Sequence, residues 1–258
     1  VAVNSDKGDI RDNIKHNISL GLQQVLPHET QWEKEICLVT GGPSLKDTTA
    51  LLKEKSESGT PVVTVNGTYK YCIDNGIKPS AFIMLDSREF NKRFIESTID
   101  SCKYLIASQC HPEVFKLLKE NNTWLWHCDT QDENIDLLRD QYGEEYKDFF
   151  PIMGGSTVTL RALHLLRLLG FHKFEIFGFD SCIMDDHHAY SQPENDKEEE
   201  IDLVVGGKQF RCTVAHYHQA KEFVQLVGVT GSNYDLIVHG DGLISHIIKN
   251  PESLKEAA

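Results

Sequence analysis

Apolar residues are distributed along this chain in two alternating patterns. Short apolar runs occupy Ile36 to Val39, Pro61 to Asn66, Ala81 to Leu85, Lys103 to Ala107, Thr123 to Trp126, Lys173 to Phe177 and Leu236 to Val238. Their length and their β-branched or aromatic content predict buried strands. Between them lie helix-length segments over 44–55, 68–74, 113–120, 133–142, 157–169 and 214–227, with a short helix closing the chain. Strands separated by helices pair in parallel through right-handed crossovers. The pattern therefore predicts an α/β fold with a Rossmann-like, doubly wound, mostly parallel sheet and helices on both faces. Upstream, Ile10, Ile14, Ile18, Leu22 and Val25 recur at near-helical spacing as far as Pro27, so residues 1–30 read as a helical extension and 31–258 as the main domain. Residues 181–200 are polar and acidic, and Gly206-Gly207 between two alternating runs marks a hairpin. Together, about 181–214 reads as an inserted lid.

Two glycine-led turns punctuate this pattern. Thr40-Gly41-Gly42-Pro43-Ser44 follows the first strand of the sheet and opens a helix, and Gly154-Gly155-Ser156-Thr157 opens a long, largely apolar helix carrying Arg161, His164 and Arg167. A helix start offers free N–H groups and the positive end of its dipole, and glycine lets a ligand approach the backbone. Two such turns can hold the two ends of one nucleotide; a turn that binds nothing is the plainer reading of either alone.

Composition narrows the partners. Against 39 acidic residues stand 26 basic ones, a net charge of −13, whose field repels nucleic acid and anionic membranes. A phosphate site must then be made locally. The seven scattered cysteines show no C-x-x-C spacing, which points to reduced thiols and a cytoplasmic setting. No apolar run approaches the ~18 residues of a membrane span, and no signal-peptide pattern opens the chain. Because it starts at Val1, the chain reads as trimmed or as a piece of something longer. A homo-oligomer is compatible with all of this.

Ligands of open α/β sheets sit at the carboxyl ends of strands. The polar residues there are Thr40, Asn66, Asp86, Ser108, His127 with Asp129, Asp180 and His239. Asn66 reads equally as a turn residue of an Asn-Gly pair and as a ligand-contacting amide. Asp86 and Asp180 can accept from a ribose or hold a metal, and Asp180 can equally cap a turn. The cluster Asp185-Asp186-His187-His188 invites a metal reading, but its spacing matches no strong ligand pattern. His216-Tyr217-His218 reads as a helix-start cluster or as a catalytic group. Absent motifs exclude several classes: there is no G-x-x-x-x-G-K-[ST], no complete G-x-G-x-x-G after a strand, and no G-x-S-x-G.

Val39-Thr40-Gly41-Gly42-Pro43-Ser44-Leu45, Asn66, Gly154-Gly155-Ser156 heading a helix, Leu168-Leu169-Gly170 before a strand ending Gly178-Phe179-Asp180, and His188-Ala189 resemble a known family. It is that of the 6-hydroxymethylpterin diphosphokinase (MptE)-like proteins, which includes motility accessory factors and is related to small bacterial sialyltransferases. The resemblance runs over about residues 35–245 and implies a Rossmann-like fold that binds a nucleotide: a CMP-sugar in the sialyltransferases, ATP with magnesium in the diphosphokinase. It implies donor contacts from Gly41 to Ser44, from Asn66 and from Gly155-Ser156. It also implies a tyrosine hydroxyl on the leaving phosphate, with Tyr190 the nearest counterpart, and a histidine base, with His188 or His216 the counterpart. The expected function is a nucleotide-binding transferase, a sialyltransferase-like glycosyltransferase using a nucleotide-activated sugar without a metal. The alternatives are an ATP-dependent diphosphokinase acting on a small hydroxymethyl, pterin-like acceptor, with Asp86 and Asp180 on Mg2+, and a non-catalytic nucleotide-binding module.

Overall fold

The computed structural model describes residues 7–129, 134–145, 147–184, 188–190, 199–230 and 234–250. In chain order they form α1 (Lys7–Ile18), β1 (Gln23–Gln24), β2 (Ile36–Val39), α2 (Leu45–Glu57), β3 (Val62–Val65), α3 (Thr68–Asp74), β4 (Ala81–Met84) and β5 (Lys103–Ala107). There follow α4 (Pro112–Phe115), β6 (Thr123–Cys128), α5 (Asn134–Tyr142), β7 (Pro151–Ile152), α6 (Val158–Leu168) and β8 (Lys173–Phe177). The last elements are β9 (Glu200–Val205), β10 (Lys208–Thr213), α7 (Val214–Thr230), β11 (Asp235–Val238) and α8 (Leu243–Lys249).

Among the described residues, nine strands form one sheet in the order β1-β6-β5-β4-β3-β2-β8-β11, with β7 beside β6, and every pair is parallel. From β2 the chain steps outward to β6, then returns to place β8 on the other side of β2. The direction reverses between β2 and β8, and a crevice at the carboxyl ends is expected there. β2 and β3 are buried at every position because helices cover both faces, which is why they read as unbroken apolar runs. Alternate side chains serve opposite faces. Ile36 and Leu38 enter the larger core with Leu160 and Leu163 of α6, whereas Cys37 and Val39 enter a smaller one with Leu45, Leu52 and Cys72.

The N-terminal periodicity describes two elements, not one helix. α1 ends at Ile18, Gly21 turns the chain at φ 65°, and Gln23–Gln24 extends the sheet edge along β6. Leu22 and Val25 keep the spacing because they pack on the same body; Val25 donates its N–H to the Leu125 carbonyl at 2.8 Å. Asn17 Nδ2 reaches the Ser108 and Cys110 carbonyls at 2.8 and 2.7 Å, so α1 is tied to the turn after β5.

The hairpin forms on Gly206-Gly207, both at positive φ as a two-residue turn requires. It does not cover the glycine-led turns. Its buried side chains Val205 and Phe210 face α8: the Phe210 and His246 rings stand 5.3 Å apart, His246 Nε2 lies 3.0 Å from the Val205 carbonyl, and Lys208 donates to the Asp241 carbonyl at 3.2 Å. An amphipathic hairpin must bury one face, and α8 supplies the partner. Of the segment 181–214, the part that reaches the tips of β2 and β3 is 188–190; residues 185–187 and 191–198 lie outside the described residues.

Glu175, 3% exposed in the middle of β8, is the main buried charge on the smaller-core face. It binds Lys55 Nζ and His239 Nε2, the latter at 2.8 Å, and Lys55 also meets Glu35 at 3.3 Å. Burial opposes the Glu175 charge, but the bonds from Lys55 and His239 outweigh it and hold the carboxyl below 4.5. His239, whose ring stacks on Phe177 at 4.4 Å, is thus part of this network. A carboxyl lowered by folding contributes stability above its unfolded pKa and loses it as pH falls through the folded value. Glu175→Gln is therefore expected to cost about 3 kcal/mol at pH 7. The gap from the parent protein should narrow below about pH 4 in denaturant titrations repeated across pH; a gap independent of pH would contradict the network.

Candidate functional site

β2 runs into the first glycine-led turn, and β8 holds that turn from the side. Thr40 donates its N–H to the Phe177 carbonyl at 2.8 Å and its hydroxyl to the Gly178 carbonyl, which also accepts the Gly42 N–H at 2.7 Å. The Ser44 N–H, at the start of α2, donates to Asp180 Oδ2 at 2.9 Å. Asp180 is 2% exposed, and burial pushes its carboxyl up from the ordinary range. A Cβ at Gly42 would collide with Asp180 Oδ2 and lie 2.5 Å from the Gly178 carbonyl. The space that Gly42 leaves at this turn belongs to the chain's own carboxylate. Asp180 thus fills the anion position at the N-terminus of α2, and the loop after β11 closes over it, so that a Cβ at Gly242 would fall 2.6 Å from Asp180 Cα. The Ser44 hydroxyl and its N–H both act to lower the Asp180 pKa, against the larger effect of burial.

The second turn is treated in the same way. Arg161 donates Nε to the Gly155 carbonyl at 2.9 Å and Nη1 to the Ile152 carbonyl, and His164 packs against Gly154. Two members of the basic stripe thus brace the turn from behind. Burial, with Arg161 nearby, lowers the His164 pKa. At the open end, Glu222 Oε2 accepts from both the Ser156 N–H and its hydroxyl, at 2.8 and 2.7 Å. Both nominated phosphate cradles therefore hold carboxylates of this chain, Asp180 enclosed and Glu222 near the surface. Gln219, three residues before Glu222 on α7, accepts from the Ser181 hydroxyl at 2.7 Å and donates to Thr157 Oγ1 at 2.8 Å. This polar link joins the β8 end to the second turn and puts the two glycine-led turns on the same carboxyl side of the sheet.

Among the described non-glycine residues, two have positive φ: Asn66 at 47° and Ser181 at 49°. They follow the central strands β3 and β8. Asn66 donates its N–H to the Ile83 carbonyl at 3.2 Å, while its Oδ1 is buried with no partner. Next to it, a Tyr190 ring edge lies across Gly67 and Gly41: a Cβ at Gly67 would fall 2.7 Å from Tyr190 Cζ, and one at Gly41 2.9 Å from its hydroxyl oxygen. Ala189, buried in the smaller core, donates its N–H to the Gly41 carbonyl at 3.0 Å and so fixes the segment. His188, half-buried, is the residue before this anchor.

The remaining candidates have local duties. His216 Nδ1 accepts from the Thr213 N–H at 3.3 Å while its own N–H donates to Thr213 Oγ1 at 3.1 Å, a reciprocal cap at the start of α7. Asp86 is bracketed by Arg88, whose Nε lies 2.9 and 3.1 Å from its two oxygens. His127, 1% exposed beside Tyr142 and Phe149, bonds Gln24 at 2.7 Å, and burial lowers its pKa to about 3. Ser108 accepts from Asn17, and Asp129 donates its N–H to the Ile152 carbonyl. Among the described residues no three His, Cys, Asp or Glu side chains converge as metal ligands; Asp185, Asp186 and His187 lie outside them. No helix among them is long and apolar enough to cross a membrane. Gly67, Ser181, Gln219 and Glu222 join the site without having been singled out in the sequence. The Asn66-Gly67 pair was the one signal available, whereas Gln219 and Glu222 arrive from a helix, 62 and 66 positions beyond the turn residues they touch.

The fold and this arrangement define a doubly wound α/β protein with its candidate site beside the reversal of strand order. The chain belongs to the 6-hydroxymethylpterin diphosphokinase MptE-like family, whose profile matches residues 9–186. No curated protein matches it. Among solved structures it resembles the Maf glycosyltransferase from Magnetospirillum magneticum AMB-1, at 12% identity and a TM-score of 0.69 over 100% of this chain. The chain spans 43% of that protein's length. Two mammalian sialyltransferase structures also match, one in complex with Gal-beta-1-3GalNAc-ortho-nitrophenol. They show 10% and 11% identity and TM-scores of 0.42 and 0.44, covering 89% and 92% of this chain and 79% and 80% of theirs. At these identities the likeness concerns the fold alone.

Proposed function

We propose that the protein is a nucleotide-binding glycosyltransferase whose donor, a nucleotide-activated sugar, binds at the carboxyl ends of β2 and β3. The observation that carries this reading is Asn66: a left-handed residue with a buried, unpartnered Oδ1, set beside Gly67 and across from Gly41. An unpaired buried acceptor costs about 1–3 kcal/mol, and a left-handed non-glycine residue about 1–3 kcal/mol more. A ligand hydroxyl or amino group donating to Oδ1 relieves the first. Family membership and the Maf-like fold support the assignment to a transferase.

In this reading an acceptor hydroxyl attacks the anomeric carbon of the sugar. The new carbon–oxygen bond forms as the bond to the donor phosphate breaks, and the nucleotide departs with that electron pair. His188 takes the acceptor proton. Charge on the leaving phosphate is met by the N–H groups of the Gly154–Thr157 turn once Glu222 yields, since Ser156 is exposed while Asp180 is enclosed. The diphosphokinase alternative requires Asp86 and Asp180 to share a magnesium ion. Neither carboxylate suits that role, because Asp86 is neutralised by Arg88 and Asp180 is buried on the Ser44 N–H.

Thermal unfolding with CMP, UDP, GDP, ADP and ATP, each with and without magnesium, tests the reading. One nucleotide at a hundred times its dissociation constant is expected to stabilise the protein by about 2.7 kcal/mol without magnesium. A response confined to ATP with magnesium would favour the diphosphokinase. No response to any of them would end the nucleotide reading, and stabilisation without turnover on any acceptor would leave a binding module.

A further inference from the structure

The place proposed for the donor already contains an aromatic ring. Gly41 and Gly67 end adjacent central strands, and a side chain on either would run into Tyr190. The slot between them is therefore shaped to admit a flat group against bare backbone, and the residue before Gly67 is Asn66, whose Oδ1 is buried without a partner. The ring is delivered by a short strap whose described anchor is the Ala189 N–H on the Gly41 carbonyl, with the Ala189 methyl buried among Val39, Leu45 and Phe177. Tyr190 itself is only half-buried. A nucleoside ring and the tyrosine ring cannot share one slot.

We infer that Tyr190 is a built-in occupant of the nucleoside slot, and that the donor binds by displacing it. The inference rests on the nucleotide reading of the β2–β3 cleft and adds a regulatory element to it. An occupied protein binds with its intrinsic affinity reduced by the fraction of molecules whose slot is free, so a ring seated nine times in ten weakens binding about tenfold. Anything that holds the strap away, including an acceptor or a partner gripping 188–190, would raise donor affinity by the same factor.

Calorimetric titration with CMP and with ADP, as pyrimidine and purine probes, separates the possibilities. Tyr190→Ala is expected to bind one of them at least about tenfold more tightly than the parent, and Tyr190→Phe, which keeps the ring, to stay within about twofold. Ala189→Pro, which deletes the anchoring N–H but leaves Tyr190 in place, is expected to tighten binding as well, and it carries the test if Tyr190→Ala does not melt cooperatively. If the parent binds a nucleotide and both Tyr190→Ala and Ala189→Pro bind it equally or more weakly, the displacement inference is overturned and the nucleotide reading stands. If neither the parent nor any variant binds any of CMP, UDP, GDP, ADP and ATP at millimolar concentration, both are overturned.

Discussion

Gly42→Val is expected to cost about 3–5 kcal/mol of stability, from overpacking of a closed turn together with loss of a charged hydrogen bond. The sequence alone supports a different outcome, a folded protein that has lost its ligand, because Gly42 reads as room for a phosphate. In the structure that room is taken. A valine Cβ would collide with Asp180 Oδ2, which is buried and held by the Ser44 N–H, and with the Gly178 carbonyl, which is backbone. Moving Asp180 strips the Ser44 N–H of its acceptor and frees the end of α2. For a domain of this size the penalty corresponds to a fall in melting temperature of roughly 6–20 °C. Urea unfolding reads the loss directly, and a change within about 0.5 kcal/mol, the usual range for a neutral surface substitution, would refute the role given to Asp180.

His188→Ala is expected to lower turnover by about 10²- to 10⁴-fold while donor affinity stays nearly unchanged, the pattern for loss of a general base that does not hold the nucleotide. His188 is favoured because the Ala189 anchor sets it beside the Gly41 turn. His216 is committed elsewhere, accepting from Thr213 at the start of α7. His216→Ala should therefore cost about 1 kcal/mol of stability, as other lost helix caps do, and only a modest part of the rate. Saturation kinetics on both variants, with their melting curves, decide between them. A rate loss confined to His216→Ala would transfer the role to that residue, and two fully active variants would remove histidine catalysis altogether.

The sheet was legible in the sequence because its strands are buried on both faces and its helices are not. Lys103–Ala107 and Lys173–Phe177 were bounded to the residue, since turn signals flank each run. β1 and β7 escaped, being two residues long and recognisable only by their pairing with β6. The helix expected over 113–120 shortened to Pro112–Phe115. The site was harder to read. Glycine pairs announce backbone that something approaches closely, but they do not say what approaches. At Gly42 it is Asp180, at Gly41 and Gly67 it is Tyr190, and at Gly154 it is His164. Each of those neighbours lies between 10 and about 150 positions away in the chain, out of reach of any local pattern.

The Ser44–Asp180 bond spans 136 positions, and β2 meets β8 across a similar interval. A chain emerging from the ribosome completes β2 to β6 well before β8 exists, and domains begin to fold as they emerge. Through that interval β2 stands as an outer strand, with its ladder groups on one side and the first turn of α2 unsatisfied. Such an edge pairs with whatever strand comes first, including that of a neighbouring chain. Closing the sheet and capping α2 then occur in one late event, when β8 and Asp180 arrive together. A nascent chain stalled before residue 173 should therefore be captured by chaperones or aggregate, whereas one released after Gly242 has every central strand paired.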